Sequence, residues 1–102
     1  MHKYFVYILE CNDKSFYIGV TNNIEERLGQ HQEGLDNHCY TFSRRPVSLL
    51  YSEEFSYIND AIAREKQLKG WSRKKKLALI SGDYDKLRDL SKNYGNPSTG
   101  SG

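Results

Sequence analysis

Tyr4 to Leu9 is apolar or aromatic at every position, the pattern of a strand covered on both faces. Asn12-Asp13-Lys14-Ser15 then supplies turn chemistry, and Phe16-Tyr17-Ile18-Gly19-Val20 reads as a second strand, so the two predict an antiparallel hairpin. Tyr7 and Tyr17 lie close together if they share a face. Tyrosine is a good strand residue, and a satisfied core or rim phenol accounts for either one without chemistry.

The pattern then changes to a helical period. Thr21, Asn22 or Asn23 can cap a helix, Glu25 and Glu26 suit its positive N-terminal end, and Gly34 sits where a terminating glycine belongs. At about 100° per residue Ile24, Leu28 and Leu35 make one stripe, and Arg27 and His31 fall on or beside it. A cation turned toward a sheet is costly to bury, so it finds an acceptor, lines a cleft or awaits an anion. Arg27 can equally snorkel to water or pair with a glutamate, and His31 can cap a carbonyl. A second helix runs from an N-cap at Ser56 to a stop at Gly70, with Ile58, Ala61, Ile62 and Leu68 as its stripe and Glu65 near the stripe's centre. That carboxylate suits a buried salt bridge or a hard-oxygen metal ligand.

Pro46 to Tyr51 reads as a third strand, reached from the first helix by a long polar connection, Gly34 to Arg45. Long loops beside active sites often carry substrate contacts, which makes His38, Tyr40, Arg44 and Arg45 candidates. Ser72 opens a third helix that offers Leu77, Leu79 and Ile80 to a core, and a short fourth helix runs from Tyr84 to Leu90. The residues from Gly95 to Gly102 lack any apolar side chain and are expected to be disordered. The order is β-β-α-β-α-α, an α/β sandwich of a small sheet flanked by helices.

With 102 residues, 37 % of them hydrophobic, the chain has material for one modest core, here assigned to a single domain over residues 1–94. No apolar run approaches the roughly 20 residues that span a bilayer, and no basic-then-apolar leader precedes the first strand, so a cytoplasmic protein without a membrane partner is expected. Cys11 and Cys39 show no CxxC spacing, which excludes a zinc-finger pattern and a disulfide scaffold and leaves free thiols.

Net charge is only +2, but its distribution is uneven. Residues 1–63 carry five Lys and Arg against nine Asp and Glu, whereas residues 64–76 carry seven against one. Lys69, Arg73, Lys74 and Lys75 therefore cluster around Trp71, a group that can attract phosphates through counterion release and stack a base. A solvated lysine face and a core tryptophan explain the same residues.

The ordered set resembles the GIY-YIG nuclease superfamily, in particular its small stand-alone bacterial (UPF0213-like) subgroup. The first motif corresponds to Phe5-Val6-Tyr7, with Phe5 in place of the name-giving glycine, and the second to Tyr17-Ile18-Gly19. The helix signature corresponds to Arg27-Leu28-Gly29-Gln30-His31 and the acidic residue to Glu65 in Ala61-Ile62-Ala63-Arg64-Glu65-Lys66. The segment Gln67 to Lys76 is similar to one typical of the stand-alone subgroup, and the likeness runs from about Lys3 to Ile80. It implies a three-stranded antiparallel sheet and an endonuclease that hydrolyses DNA phosphodiester bonds, with branched, damaged or single-stranded DNA as partners and a place in DNA repair.

The resemblance also implies the roles. Glu65 would hold one Mg²⁺ or Mn²⁺, because such ions bind through few carboxylates plus water and phosphate. Arg27 would clamp a non-bridging oxygen with its planar fork. Tyr7 or Tyr17 would accept the proton of the attacking water, and His31 would take or relay the phenol proton. A free phenol has a pKa of about 10 and is a poor base near neutrality unless cations stabilise its phenolate. Which tyrosine is the base stays open in the sequence. The alternative is a nucleic-acid-binding module of the same fold without turnover.

Overall fold

Three strands, β1 (Tyr4–Glu10), β2 (Phe16–Thr21) and β3 (Ser48–Phe55), form an antiparallel sheet in the order β2-β1-β3. The structure, a computed structural model, describes residues 2–95, with side chains through residue 91. Of the tail expected to be disordered, residues 96–102 lie outside the described residues. The central place of β1 is the reason for its unbroken apolar run: Val6, Tyr7, Ile8 and Leu9 are all buried. Tyr7 stands opposite Gly19 and Leu9 opposite Tyr17. Alternation along a pleated strand therefore puts Tyr7, Leu9, Tyr17 and Gly19 on one face, and Val6, Ile8 and Ile18 on the other. The hairpin closes with the Cys11 N–H donating to the Ser15 carbonyl at 2.8 Å, and Lys14 takes a left-handed conformation at φ 72°.

The tyrosine face is covered by α1 (Ile24–Glu33), whose Ile24 and Leu28 pack against Tyr7, Leu9, Cys11 and Val47. The Asn23 side chain caps it by accepting from the Glu26 N–H at 3.0 Å. Gly34, at φ 67°, ends it with an N–H directed to the Gln30 and His31 carbonyls. Leu35, expected on the stripe, lies beyond that turn and is 67 % exposed, because the left-handed residue breaks the helical period before it. His31 takes the vacated place, seven residues after Ile24, and is the buried residue of α1.

β3 runs four residues past the expected Tyr51 and starts at Ser48 rather than Pro46. Its polar stretch Ser52-Glu53-Glu54 is compatible with an edge strand, and pairing with β1 continues through Glu53 opposite Val6 to Phe55 opposite Tyr4. A register shift between Ile8 and Leu9 leaves Leu50 as the extra residue. The connection from α1 contains a 3₁₀ turn, Phe42–Arg44, then Val47, which is buried ahead of the strand. Gln32 holds it there: its side-chain amide donates to the Val47 carbonyl at 2.5 Å and its oxygen accepts the Val47 N–H at 3.0 Å.

The opposite face of the sheet is covered by α2 (Ile58–Lys69), which contacts all three strands. Arg64 Nε donates at 2.9 Å to Glu53, the register partner of Val6, which fixes the face. The helix opens at Ile58, so Tyr57 rather than Ser56 is its cap position, the Tyr57 carbonyl accepting from Ala61. Ala61 and Leu68 are fully buried, whereas Ile58 and Ile62 stay partly exposed, so the buried stripe is narrower than the sequence pattern.

The chain divides into two compact units, one through Lys69 and one from Gly70. In the second, α3 (Arg73–Ser81) packs with α4 (Tyr84–Gly95). The Ser72 hydroxyl caps α3 by accepting the Lys75 N–H, and Gly82 at φ 77° ends it. Ala78 and Leu79 are its buried residues; Leu77, expected in a core, is 45 % exposed because it falls on the outer side of the same turn. Asp83 caps α4, which continues past the expected Leu90.

Candidate active site

The site begins at the pairing of Tyr7 with Gly19. A Cβ placed on Gly19 would come within 2.5 Å of the Tyr7 hydroxyl and 2.7 Å of its Cζ. Glycine here is a matter of space: the missing side chain lets the Tyr7 ring lie over β2. The Tyr17 ring sits 6.3 Å from the Tyr7 ring, and the His31 ring approaches both edge-on, at 6.0 Å from Tyr7 and 5.0 Å from Tyr17.

His31 is buried and bonded at both nitrogens. Nε2 lies 3.0 Å from the Tyr7 hydroxyl and Nδ1 lies 2.7 Å from Thr41 Oγ1. The Thr41 hydroxyl, 1 % exposed, donates at 3.4 Å to Cys39 Sγ. The same sulfur lies 3.8 Å from His31 Nδ1 and raises the pKa of the Tyr17 phenol. One continuous set of contacts thus joins the two tyrosines by way of His31, Thr41 and Cys39.

The electrostatics fix the resting protonation. Burial, with a smaller push from Tyr17, lifts the Tyr7 phenol far above its ordinary 10, and Arg27 acts in the opposite direction. Burial and then the Cys39 thiol raise Tyr17, again opposed by Arg27. Burial, reinforced by the Arg27 charge, lowers His31 below its ordinary 6.5. At neutral pH both phenols keep their protons and the imidazole is uncharged.

Arg27 stands on the exposed side of α1 yet borders Tyr7, Ile24 and Leu28, and with His31, Cys39 and Thr41 it lines a cavity of about 190 Å³. Glu65, on α2, raises both tyrosine pKa values, the weakest of the influences on each. Its Oε2 pairs with Lys69 Nζ at 3.1 Å, a half-exposed lysine one turn on. Of the five residues singled out in the sequence, Tyr7, Tyr17 and His31 are in direct contact and Arg27 lines the cavity beside His31, whereas Glu65 stands on α2, paired with Lys69.

The loop after α1 adds more. Tyr40 stacks on Tyr17 with ring centres 6.3 Å apart, and the Arg44 guanidinium lies 3.8 Å from the Tyr40 ring centre while pairing with Asp13. Arg45 donates to the Phe42 and Gln32 carbonyls and braces the loop. His38 is exposed, and its backbone N–H binds Asp36. Thr41 and Cys39 carried no signal in the sequence: a threonine in a polar loop has no periodicity, and Cys39 read as an idle thiol.

Among the expected nucleic-acid contacts, Lys69 is the partner of Glu65. In the second unit Lys75 Nζ lies 4.5 Å from the Trp71 ring centre, and Trp71, Ser72, Lys75 and Leu90 line a cavity of about 310 Å³. Arg73 and Lys74 are exposed on α3. Among the described residues no three His, Cys, Asp or Glu converge to hold a metal. One carboxylate suits Mg²⁺ or Mn²⁺, which keep most of their waters, and does not suit a closed zinc site.

The profile of the GIY-YIG catalytic domain matches residues 3–78. The chain belongs to the GIY-YIG family. A UPF0213 protein of Syntrophus aciditrophicus is 45 % identical over 87 residues, covering 85 % of this chain and all of that protein. Another, from Staphylococcus haemolyticus, is 45 % identical over 78 % of this chain and 96 % of its own. A UPF0213 protein of Bacillus halodurans, known from a solution NMR structure, is similar with a TM-score of 0.52 and 36 % identity, covering 87 % of this chain and 97 % of that one. This GIY-YIG domain therefore has a nuclease-type fold, with bacterial relatives whose names specify no activity. Among its described residues no helix is long and apolar enough to cross a membrane.

Proposed function

We propose that this GIY-YIG protein is a metal-dependent endonuclease that hydrolyses DNA phosphodiester bonds, acting on branched, damaged or single-stranded forms. The observation that carries the reading is the buried Tyr7–His31 hydrogen bond between a protonated phenol and an uncharged imidazole. Neither partner alone is suited to deprotonating water, since burial disfavours a standing Tyr7 phenolate and the His31 Nε2 lone pair is directed at the Tyr7 hydroxyl rather than at water. Together they form a base. As Tyr7 takes a proton from the attacking water, its own proton passes to His31 Nε2, so charge separates only during the reaction. The hydroxide oxygen bonds to phosphorus, the bond to the 3′ oxygen breaks, and that oxygen takes a proton from solvent. The imidazolium then returns its proton through Tyr7 to solvent.

Tyr17, whose ring meets His31 edge-on, orients the water. Arg27 lowers both phenol pKa values and offers a planar fork to a non-bridging oxygen, where charge builds as the bond breaks. Glu65 would hold a single Mg²⁺ or Mn²⁺, whose charge when bound would offset that of the phosphate and the departing oxygen. Its partner Lys69 is half-exposed and can swing to solvent when a divalent cation takes the carboxylate.

The test is cleavage of a panel of duplex, flap, junction and single-stranded DNA and of RNA with Mg²⁺ or Mn²⁺. Wild type nicks DNA; Glu65→Gln and Arg27→Ala stay folded and inactive. Equal activity in the variants would assign the cleavage to a contaminant. The Lys69–Glu65 pair also favours a second reading, a binding module whose lone carboxylate is occupied by its own lysine. Steeply salt-dependent DNA binding without cleavage would select it.

A further inference from the structure

We infer that Thr41 is a positioning residue that fixes the tautomer of His31, holding the imidazole proton on Nδ1 so that Nε2 presents a lone pair to Tyr7. The inference rests on the endonuclease reading for its consequence and on hydrogen-bond counting for its geometry. Thr41 has one hydroxyl proton and two close partners, His31 Nδ1 at 2.7 Å and Cys39 Sγ at 3.4 Å. With that proton directed to the sulfur, the hydroxyl oxygen is left to accept from Nδ1–H; the Cys39 thiol, 3.8 Å from Nδ1, is the more distant of that nitrogen's two neighbours. An uncharged imidazole carries a single N–H, so Nε2 is then unprotonated and accepts from the Tyr7 O–H at 3.0 Å.

The alternative arrangement reverses the sense. With the proton on Nε2, His31 would donate to the Tyr7 oxygen and have no lone pair facing the phenol, so the Tyr7 proton would have no acceptor when water is activated. Thr41 is firmly placed for the role. It is 1 % exposed, and Oγ1 is aimed into the space between His31 and Cys39 by the loop that Gln32 and Arg45 pin to α1.

The experiment reads the tautomer directly. Full-length protein labelled with ¹⁵N-histidine is examined by long-range ¹H–¹⁵N correlation at pH 7.5, His31 being assigned by the loss of its signals in His31→Gln. Expected in wild type is a protonated Nδ1 and an unprotonated Nε2. In the isosteric Thr41→Val the pattern moves toward the Nε2–H form, and Thr41→Ser restores it. In cleavage assays Thr41→Val loses about 10- to 100-fold in kcat with little change in KM, the usual scale for removing a group that orients a reacting one, and Thr41→Ser recovers most of it. An Nε2–H tautomer in wild type, or an unchanged tautomer in Thr41→Val, overturns the inference even if the enzyme cleaves DNA. A wild type with the expected tautomer and no cleavage on any substrate overturns the endonuclease reading, and with it the catalytic consequence for Thr41, but not the structural assignment.

Discussion

Gly19 faces Tyr7 across the β1–β2 ladder with no room for a methyl group between them. The buried phenol cannot retreat without breaking its bond to His31. Gly19→Ala should therefore displace the Tyr7 ring, lowering stability by about 1–3 kcal/mol, the range for overpacking, and weakening cleavage more than folding. Urea unfolding and single-turnover cleavage check this. A variant of wild-type activity would mean that the phenol position is immaterial.

The two tyrosines should differ. Tyr7→Phe removes the group that contacts His31 and is expected to reduce kcat about 10²- to 10⁴-fold, the usual contribution of a general base. Tyr17→Phe, which leaves the Tyr7–His31 bond intact, should cost distinctly less. The reverse ranking would move the base to Tyr17.

His31 supplies a pH signature. Its folded pKa lies below the ordinary 6.5, so between the two values the unfolded chain binds more protons than the native one. The associated stability is fully present above about 6.5 and is lost as pH falls through the folded value. Activity should fall along the same limb, because a protonated imidazole cannot take the Tyr7 proton. His31→Gln should flatten the stability slope measured by urea titration from pH 7.5 to 5. Arg27→Met, removing a charge that lowers His31, should move the limb toward 6.5.

Gln32 anchors the loop that delivers Thr41 and Cys39. Gln32→Ala deletes both of its bonds to the buried Val47 backbone and should cost about 1–3 kcal/mol, the range for unsatisfied partly buried polar groups. Histidine ¹⁵N spectra should then show His31 losing its fixed tautomer. An unaltered spectrum would place control of the loop elsewhere, in Arg45 or Phe42.

Chelation should abolish cleavage and leave the protein folded, since among the described residues the ion pair of Glu65 is with the half-exposed Lys69. Mg²⁺ or Mn²⁺ should restore the rate. Cleavage that survives exhaustive chelation would remove the metal from the mechanism.

Much of the framework was legible in the chain because it rests on local rules. The unbroken run from Tyr4 to Leu9, the cap at Asn23 and the stop at Gly34 depend on neighbours in sequence. Errors arose where tertiary packing overrode periodicity. Leu35 and Leu77 are apolar but lie off the buried faces. Ser52 to Glu54 is polar but pairs as an edge strand.

The sequence by itself determined the order β-β-α-β-α-α, the helix that carries Arg27 and His31, and the set of reactive residues in one family's order. Only the tertiary structure decided that Tyr7, not Tyr17, is bonded to His31, that Gly19 makes space for that phenol, and that Thr41 and Cys39 complete the set. The physical reason is that hydrogen-bond direction and close approach depend on atoms 10 and 24 residues apart meeting within about 3 Å. Local propensity and spacing carry no record of such meetings; they exist only once strand register and loop closure are in place.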